Sequence, residues 1–565
     1  MLTTPPATPS ALQPPGRDHL ALGRDALDRG AWSEARTHLT ASVAEHESPE
    51  ALEDLGLAAW WLDEPTITFD ARERAYVLYR ESGDARGAAR VAIWLVWDYL
   101  AFRGDFAVAS GWLERARRLL AGQHDTPEYG WLLIREGEVA LFRRHDPSAA
   151  VSSASRAAKL GRELGDEGVE FTALGLEGLA RVSAGDVELG MRRLDEASIA
   201  TTVGEVKELH AVGLVSCWQI FACERVRDYD RAAQWCARVQ EFTRRWGLRP
   251  LQAICRTQYA GVLIWHGDWA EAEAELTMAT RELEQIRPAL TSPPVARLGV
   301  LRLRQGRFDE AERLFEQSSS QPQSRLGIAE LMLERDNANE CAALLDQFLV
   351  QIGDAEPTSR AAALELLVRA HASRGDLDAA GAALAELEQI ASAAATTSFA
   401  ASVTAAAAVL LRERGELAGA ATHLEQAVDL FQQSGAPFET ACARLDLADV
   451  LAALGRAASA EREARLAVDA LDALGAEHEA NRARRLLRSL GSWKGKGAAS
   501  RAPALTHRQI EILRFVSLGM SNAEIATRLA LSEHTVKRHV ANLLTRLDLP
   551  SRAAAAAYAT REGLI

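Results

Sequence analysis

The chain has 565 residues, 48% of them hydrophobic and 25% charged, with 18 Pro, 39 Gly and 6 Cys. That composition excludes a predominantly disordered protein and implies two or more domains or a long repeat array. No run approaches the ~18 uncharged apolar residues of a membrane span, so no membrane partner is expected. The net charge of −14 is uneven: residues 481–565 hold 15 Lys+Arg against 5 Asp+Glu, a net of +10, which leaves 49 − 73 = −24 for residues 1–480. A basic end on an acidic body draws a polyanion to that end alone.

Residues 1–16 carry five prolines and neither a basic nor an apolar leader region, which predicts a disordered tail, no signal peptide and a cytoplasmic, nucleoid-associated chain. The six cysteines form no C-x-x-C pair, so neither a disulfide framework nor a cysteine metal site is expected.

From residue 17 a turn pattern recurs: a Gly, usually followed by Asp, Glu or Arg, with an Ala five positions after the Gly. It occurs at Gly30/Ala35, Gly104/Ala109, Gly267/Ala272, Gly306/Ala311, Gly375/Ala380, Gly415/Ala420 and Gly455/Ala460, and in degenerate form at His145/Ala150, Gly185/Gly190, Arg227/Ala232 and Asp336/Cys341. The last three full copies are 40 residues apart. Amphipathic stretches of helical period flank each turn, and no sustained alternation of period 2 marks a strand. Gly supplies the positive φ that ends one helix, and the small residue lets the next helix pack close.

Such helix pairs stack on one another into a superhelix. The pattern resembles tetratricopeptide (TPR) repeats in a 40-residue variant. The expected fold is therefore all-α: a TPR-like α-solenoid of about twelve helix pairs over 17–490, serving as a sensor or protein-interaction domain. A flexible basic linker is predicted over 491–503 and a small four-helix domain over 504–565.

In that last segment Thr506 can cap a helix through Ile510, Leu513 and Val516 that stops at Gly519. Ser521 opens a short second helix with Glu524 at the capping-box position, and Ile525 and Leu529 face inward. Ser532 caps a third helix with Val536, Val540, Leu543 and Leu547 on its inner side; Pro550 ends it, and Ser551 caps a fourth. Two short helices joined by a tight turn, the second longer and basic, read as a helix-turn-helix. His534, Lys537, Arg538 and Ala541 fall on the outward face of the third helix. Lys537 and Arg538 suit guanine O6 and N7 in the major groove, and Ser532 and Thr535 suit phosphates. His539, beside Val540, reads as a half-buried residue bonding within the domain rather than as a phosphate contact.

The runs Leu505-Thr506-His507-Arg508-Gln509-Ile510, Gly519-Met520-Ser521-Asn522-Ala523-Glu524-Ile525-Ala526, Leu531-Ser532-Glu533-His534-Thr535-Val536-Lys537-Arg538-His539-Val540 and Ser551-Arg552 resemble the LuxR/GerE-type DNA-binding domain over about 60 residues. The resemblance implies DNA binding through Asn522, Ser532, His534, Thr535, Lys537, Arg538 and Arg552. It also implies dimerisation on DNA through a last-helix face of Ala553, Ala556, Ala557 and Tyr558. Ala541 stands where relatives often carry a basic residue, so their base preference does not carry over, and His507 replaces a frequent proline. The whole resembles the large MalT-like LuxR regulators. With repeats beginning near residue 17, their ATPase domain is expected to be missing, and no G-x-x-x-x-G-K-[ST] occurs.

No enzyme and no cofactor are expected. Gly519-Met520-Ser521-Asn522-Ala523 falls one residue short of a nucleophile elbow, no two of the thirteen histidines stand at i,i+3 or i,i+4, and no metal site is predicted. Eleven tryptophans between Trp60 and Trp269 crowd the first half of the solenoid, mostly as core, with room for a peptide or small effector in a concave groove. The expected function is a sequence-specific transcription regulator, most simply an activator. Its partners would be operator DNA, RNA polymerase and a small-molecule, peptide or protein effector. The alternative is a TPR peptide-receptor scaffold with auxiliary DNA binding.

Overall fold

The computed structural model describes residues 18–491, 507–518, 520–529 and 532–547 together with Arg552, Ala555 and Ala559, and the chain divides into two units, Met1–Gly491 and Ser492–Ile565. The expected tail over 1–16 and most of the expected linker lie outside the described residues. Among the described residues every regular element is helical, and no helix is long and apolar enough to cross a membrane.

The described residues of the first unit form twenty-five α-helices, from α1 (His19–Asp28) to α25 (Glu477–Ser489), which make twelve antiparallel pairs and a final single helix. All eleven turn positions read from the sequence adopt positive φ, including the three that are not glycine: His145 at 52°, Arg227 at 56° and Asp336 at 61°. The residue after the turn closes the helix by donating its N–H five residues back, as Asp268 does to the Leu263 carbonyl at 2.9 Å. Where that residue is Asp, its carboxylate caps the next helix at three turns, as Asp146 does on the Ala149 N–H at 2.9 Å. The small residue five positions on is buried in every copy. At Gly190 the approach is closest, because a Cβ there would stand 2.7 Å from the Gly178 carbonyl oxygen.

A twelfth copy escaped the pattern. Asp63 has φ 57°, and Thr68, five residues on, is fully buried with its hydroxyl donated to the Glu64 carbonyl at 3.0 Å. It fills the gap between Gly30 and Gly104 at intervals of 33 and 41 residues.

Successive turns of the superhelix touch along a seam between residues ~140–220 apart in sequence. Arg287 donates to Asp63 at 2.9 Å, His145 pairs with Glu356 at 3.0 Å, and Arg227 pairs with Glu365 at 2.6 Å. Thr396 donates to the Val226 carbonyl at 2.6 Å, and the Trp265 indole donates to the Ser434 carbonyl at 3.0 Å. Three of the four non-glycine turn residues thus use their side chains to bind the next superhelical turn, which offsets the steric cost of a left-handed backbone, about 1–2 kcal/mol. The seam borders a half-open lumen of about 1670 Å³, lined mainly by the second half of the unit from α11 (Leu209–Arg225) onward.

Candidate nucleic-acid interface

The second unit builds its core from α26 (His507–Ser517), α27 (Asn522–Leu529) and α28 (Glu533–Leu547). Ile512, Leu513 and Val516, then Ile525 and Ala526, then Val536, Val540 and Leu543 are buried together, with Leu529 packed at the edge. Ala555 and Ala559, four residues apart, are buried in the same core and fix the inner side of the segment after α28. The side chains of Ile510 and Leu547, both expected inside, lie outside the described residues.

Local sequence sets the turn into α27. Ser521 Oγ accepts from the Glu524 N–H at 3.3 Å, and Glu524 Oε2 accepts from the Ser521 N–H at 2.7 Å, which completes the capping box. The N–H donated to it holds the exposed Glu524 carboxyl below its usual range. At the start of α28 the Ser532 carbonyl accepts from the Val536 N–H at 3.1 Å. Because Val536, Val540 and Leu543 turn inward, Ser532, Lys537 and Ala541 are left exposed, while His539 is half-buried beside Val540.

The expected site residues fall into three groups. Ser532 and Lys537 are exposed along the first turns of α28. His534, Thr535 and Arg538 belong to the same helix, with side chains outside the described residues; Ala553, Ala556, Ala557 and Tyr558 lie outside them altogether. Asn522 and Arg552 form a pair of their own. Arg552 donates to Asn522 Oδ1 at 2.9 Å and to the Met520 carbonyl, and it is half-buried. Its guanidinium therefore ties the segment after α28 to the first residue of α27, a contact between residues 30 apart that sequence spacing did not reveal.

The charge excess reads differently once the fold is known. Arg482 pairs with Asp446 at 2.5 Å and Asp449 at 3.1 Å, and Arg484 pairs with Asp472, so these cations belong to the solenoid. Counting from Ser492, 11 Lys+Arg face 5 Asp+Glu, a net of +6 on the second unit.

The tryptophans of the first half serve mainly as core. Trp60, Trp61, Trp218, Trp265 and Trp269 are each 5% exposed or less, and Trp32 stacks on Trp61 with centroids 5.4 Å apart. The half-open space is the lumen farther along, whose wall includes Trp265 stacked on Tyr229 at 4.4 Å.

Comparison with known proteins adds a sequence relationship confined to the second unit. Residues 503–559 match the family described as "Bacterial regulatory proteins, luxR family". Over 60 residues the chain is 43% identical to the transcriptional regulatory protein LnrK of Bacillus subtilis (strain 168), covering 11% of this chain and 27% of that protein. Over 61 residues it is 46% identical to the HTH-type quorum-sensing regulator RhlR of Pseudomonas aeruginosa, covering 11% of this chain and 25% of that one. The chain thus spans about a quarter of the length of the curated relatives it matches. Among solved structures, the APC/C hetero-tetramer Cut9-Hcn1 aligns with a TM-score of 0.43 at 13% identity, covering 84% of this chain and 93% of the other.

Proposed function

From a second unit that carries a LuxR-type helix-turn-helix domain, we propose that the chain is a sequence-specific DNA-binding transcription regulator controlled through its solenoid. The observation that carries this reading is the pair formed by α27, opened by its capping box, and α28, with Val536, Val540 and Leu543 buried and Lys537 and Ser532 exposed on a unit of net charge +6. In the proposed complex α28 enters the major groove. Lys537 and Arg538 reach base edges, while Ser532, His534 and Thr535 hold phosphates.

Asn522 and Arg552 act here as positioning residues. Their bond fixes the start of α27 against the segment after α28, and so sets the angle at which α28 is presented. Ala553, Ala556, Ala557 and Tyr558 form the dimer face.

The lumen of the solenoid takes the effector. Its wall carries eight arginines and ten carboxylates, so the fitting ligand is polar and charged rather than a lipid or a bare hydrocarbon. Ligand contacts that differ between two states of the solenoid would then expose or withhold the dimer face, and recruitment of RNA polymerase makes the output activation. The test is selection of bound sequences from fragmented genomic DNA by the full chain and by a Lys537→Ala/Arg538→Ala variant. Enrichment of one site by the wild type and its loss in the variant are expected. Equal enrichment by both would remove α28 as the recognition helix and favour the scaffold reading.

A further inference from the structure

Where the seam closes on the last helix of the solenoid, the first turn of α25 carries His478 and Glu479 side by side. His478 packs its backbone against Gly306, where a Cβ would stand 2.7 Å from the His478 Cβ. Its ring lies against Phe308, with centroids 4.9 Å apart. These contacts point the imidazole at Glu334, at the end of α17 (Pro322–Glu334), and Nε2 stands 3.4 Å from Glu334 Oε2. One donor atom each from Glu334, His478 and Glu479 comes within 4.8 Å of the other two, and all three side chains border the lumen.

Carboxylates gather in this corner. Glu330, Glu334, Asp446, Asp449 and Glu479 lie around two guanidiniums that pair with them directly, with Arg304, Arg412 and Arg485 farther out. Arg369 stands 3.6 Å from Glu330 and 3.4 Å from Glu334; Arg482 stands 2.5 Å from Asp446, 3.1 Å from Asp449 and 3.3 Å from Glu479. With a cation on Glu334 and Glu479, each paired arginine keeps a carboxylate that is not a ligand: Glu330 for Arg369, Asp446 and Asp449 for Arg482.

We propose that Glu334, His478 and Glu479 form a binding site for a first-row divalent metal ion such as Zn²⁺ or Mn²⁺. One imidazole with two carboxylates is a donor set for these ions, whereas Ca²⁺ and Mg²⁺ take all-oxygen sites. Donors around a tetrahedral zinc, with bonds of about 2.0–2.2 Å, stand roughly 3.3 Å apart. His478 and Glu334 already meet that spacing, and Glu479 stands within 4.8 Å of both. The ion would join α17 to α25 across 144 residues of sequence and lock the last superhelical turn at the helix that leads into the second unit.

The proposal is independent of DNA binding, because the test reads metal alone. Chelator-treated full chain is titrated calorimetrically with ZnCl₂ and separately with MnCl₂, beside His478→Ala, Glu334→Gln, Glu479→Gln and, as a control elsewhere on the seam, His145→Ala. One equivalent should bind the wild type and His145→Ala alike, and raise the melting temperature of both. Affinity should fall at least tenfold in each of the other three variants, with far-UV circular dichroism unchanged in the near-isosteric glutamine variants. No bound equivalent, or undiminished binding in all three site variants, overturns the site. Displacement of the metal by millimolar putrescine also overturns it, in favour of an organic ammonium ligand.

Discussion

The two turn residues Arg227 and Asp336 share a left-handed backbone, with φ of 56° and 61°, but differ in what their side chains do. Replacing either with glycine removes a steric cost of about 1–2 kcal/mol. It also loosens the unfolded chain by about 0.5–1 kcal/mol, so the backbone alone gains on the order of 1 kcal/mol. Asp336 makes no side-chain bond among the described residues, and Asp336→Gly should therefore stabilise by about that amount. Arg227 pairs with Glu365 at 2.6 Å, meets Ser402, and lies 4.9 Å from the centroid of the Phe399 ring. Breaking a fully buried pair costs about 3–5 kcal/mol. Glu365 is 31% exposed, so roughly 2 kcal/mol is the better figure here, with about 0.5–1 kcal/mol more for the ring contact. Net of the backbone gain, Arg227→Gly should destabilise by about 1–2 kcal/mol. Urea unfolding followed by tryptophan fluorescence on the full chain reads both: the midpoint should rise for Asp336→Gly and fall for Arg227→Gly. Shifts of the same sign would refute the claim that non-glycine turn residues are retained for the contacts they make between superhelical turns.

Other expectations follow from single contacts. Asp98→Ala should cost about 3–5 kcal/mol, since Asp98 and Arg72 are 0% and 2% exposed and 2.6 Å apart; replacing both with Leu should recover most of the loss, again by urea midpoint. Arg552→Ala should speed amide hydrogen exchange in α27 by tenfold or more, from loss of charged hydrogen bonds worth about 1.5–3 kcal/mol, and Arg552→Lys should not rescue it because a lone ammonium cannot reproduce the fork. The Glu524 carboxyl sits below its usual range in the folded state, so its contribution is full above the unfolded value of about 4.3 and is lost as pH falls through the lower folded one. Protection of α27 in the wild type should therefore exceed that of Glu524→Gln at pH 6 and converge with it as the solution is acidified below pH ~4. Lys537→Ala should weaken discrimination at one base pair of the selected site by about 1–3 kcal/mol, read as the ratio of affinities for the site and its single-base variant.

The solenoid was legible wherever its information is local. A residue at positive φ followed by a small buried one is written into some forty residues at a time, and even His145, Arg227 and Asp336 were found by position alone. Asp63 with Thr68 was missed because the buried position holds Thr in place of Ala, Gly or Cys, with its hydroxyl bonded to the Glu64 carbonyl. Within the second unit the capping box and the inward run Val536, Val540 and Leu543 were readable for the same reason. What was not readable is non-local. Seam pairs such as His145 with Glu356 depend on the superhelical pitch, which is a sum over many small repeat rotations. Helical spacing rules for metal ligands could not join Glu334 to His478. The basic stretch at Arg482 and Arg484 looked like part of a nucleic-acid surface until its partners Asp446, Asp449 and Asp472 appeared.

The central claim is that α28 reads a DNA sequence. The most direct measurement is genomic DNA selection at two salt concentrations with the full chain and with Lys537→Ala/Arg538→Ala. The account predicts that the wild type retains one short palindromic site at both salts and that the double variant retains none preferentially. Retention by the wild type that falls with salt and enriches no sequence would contradict it.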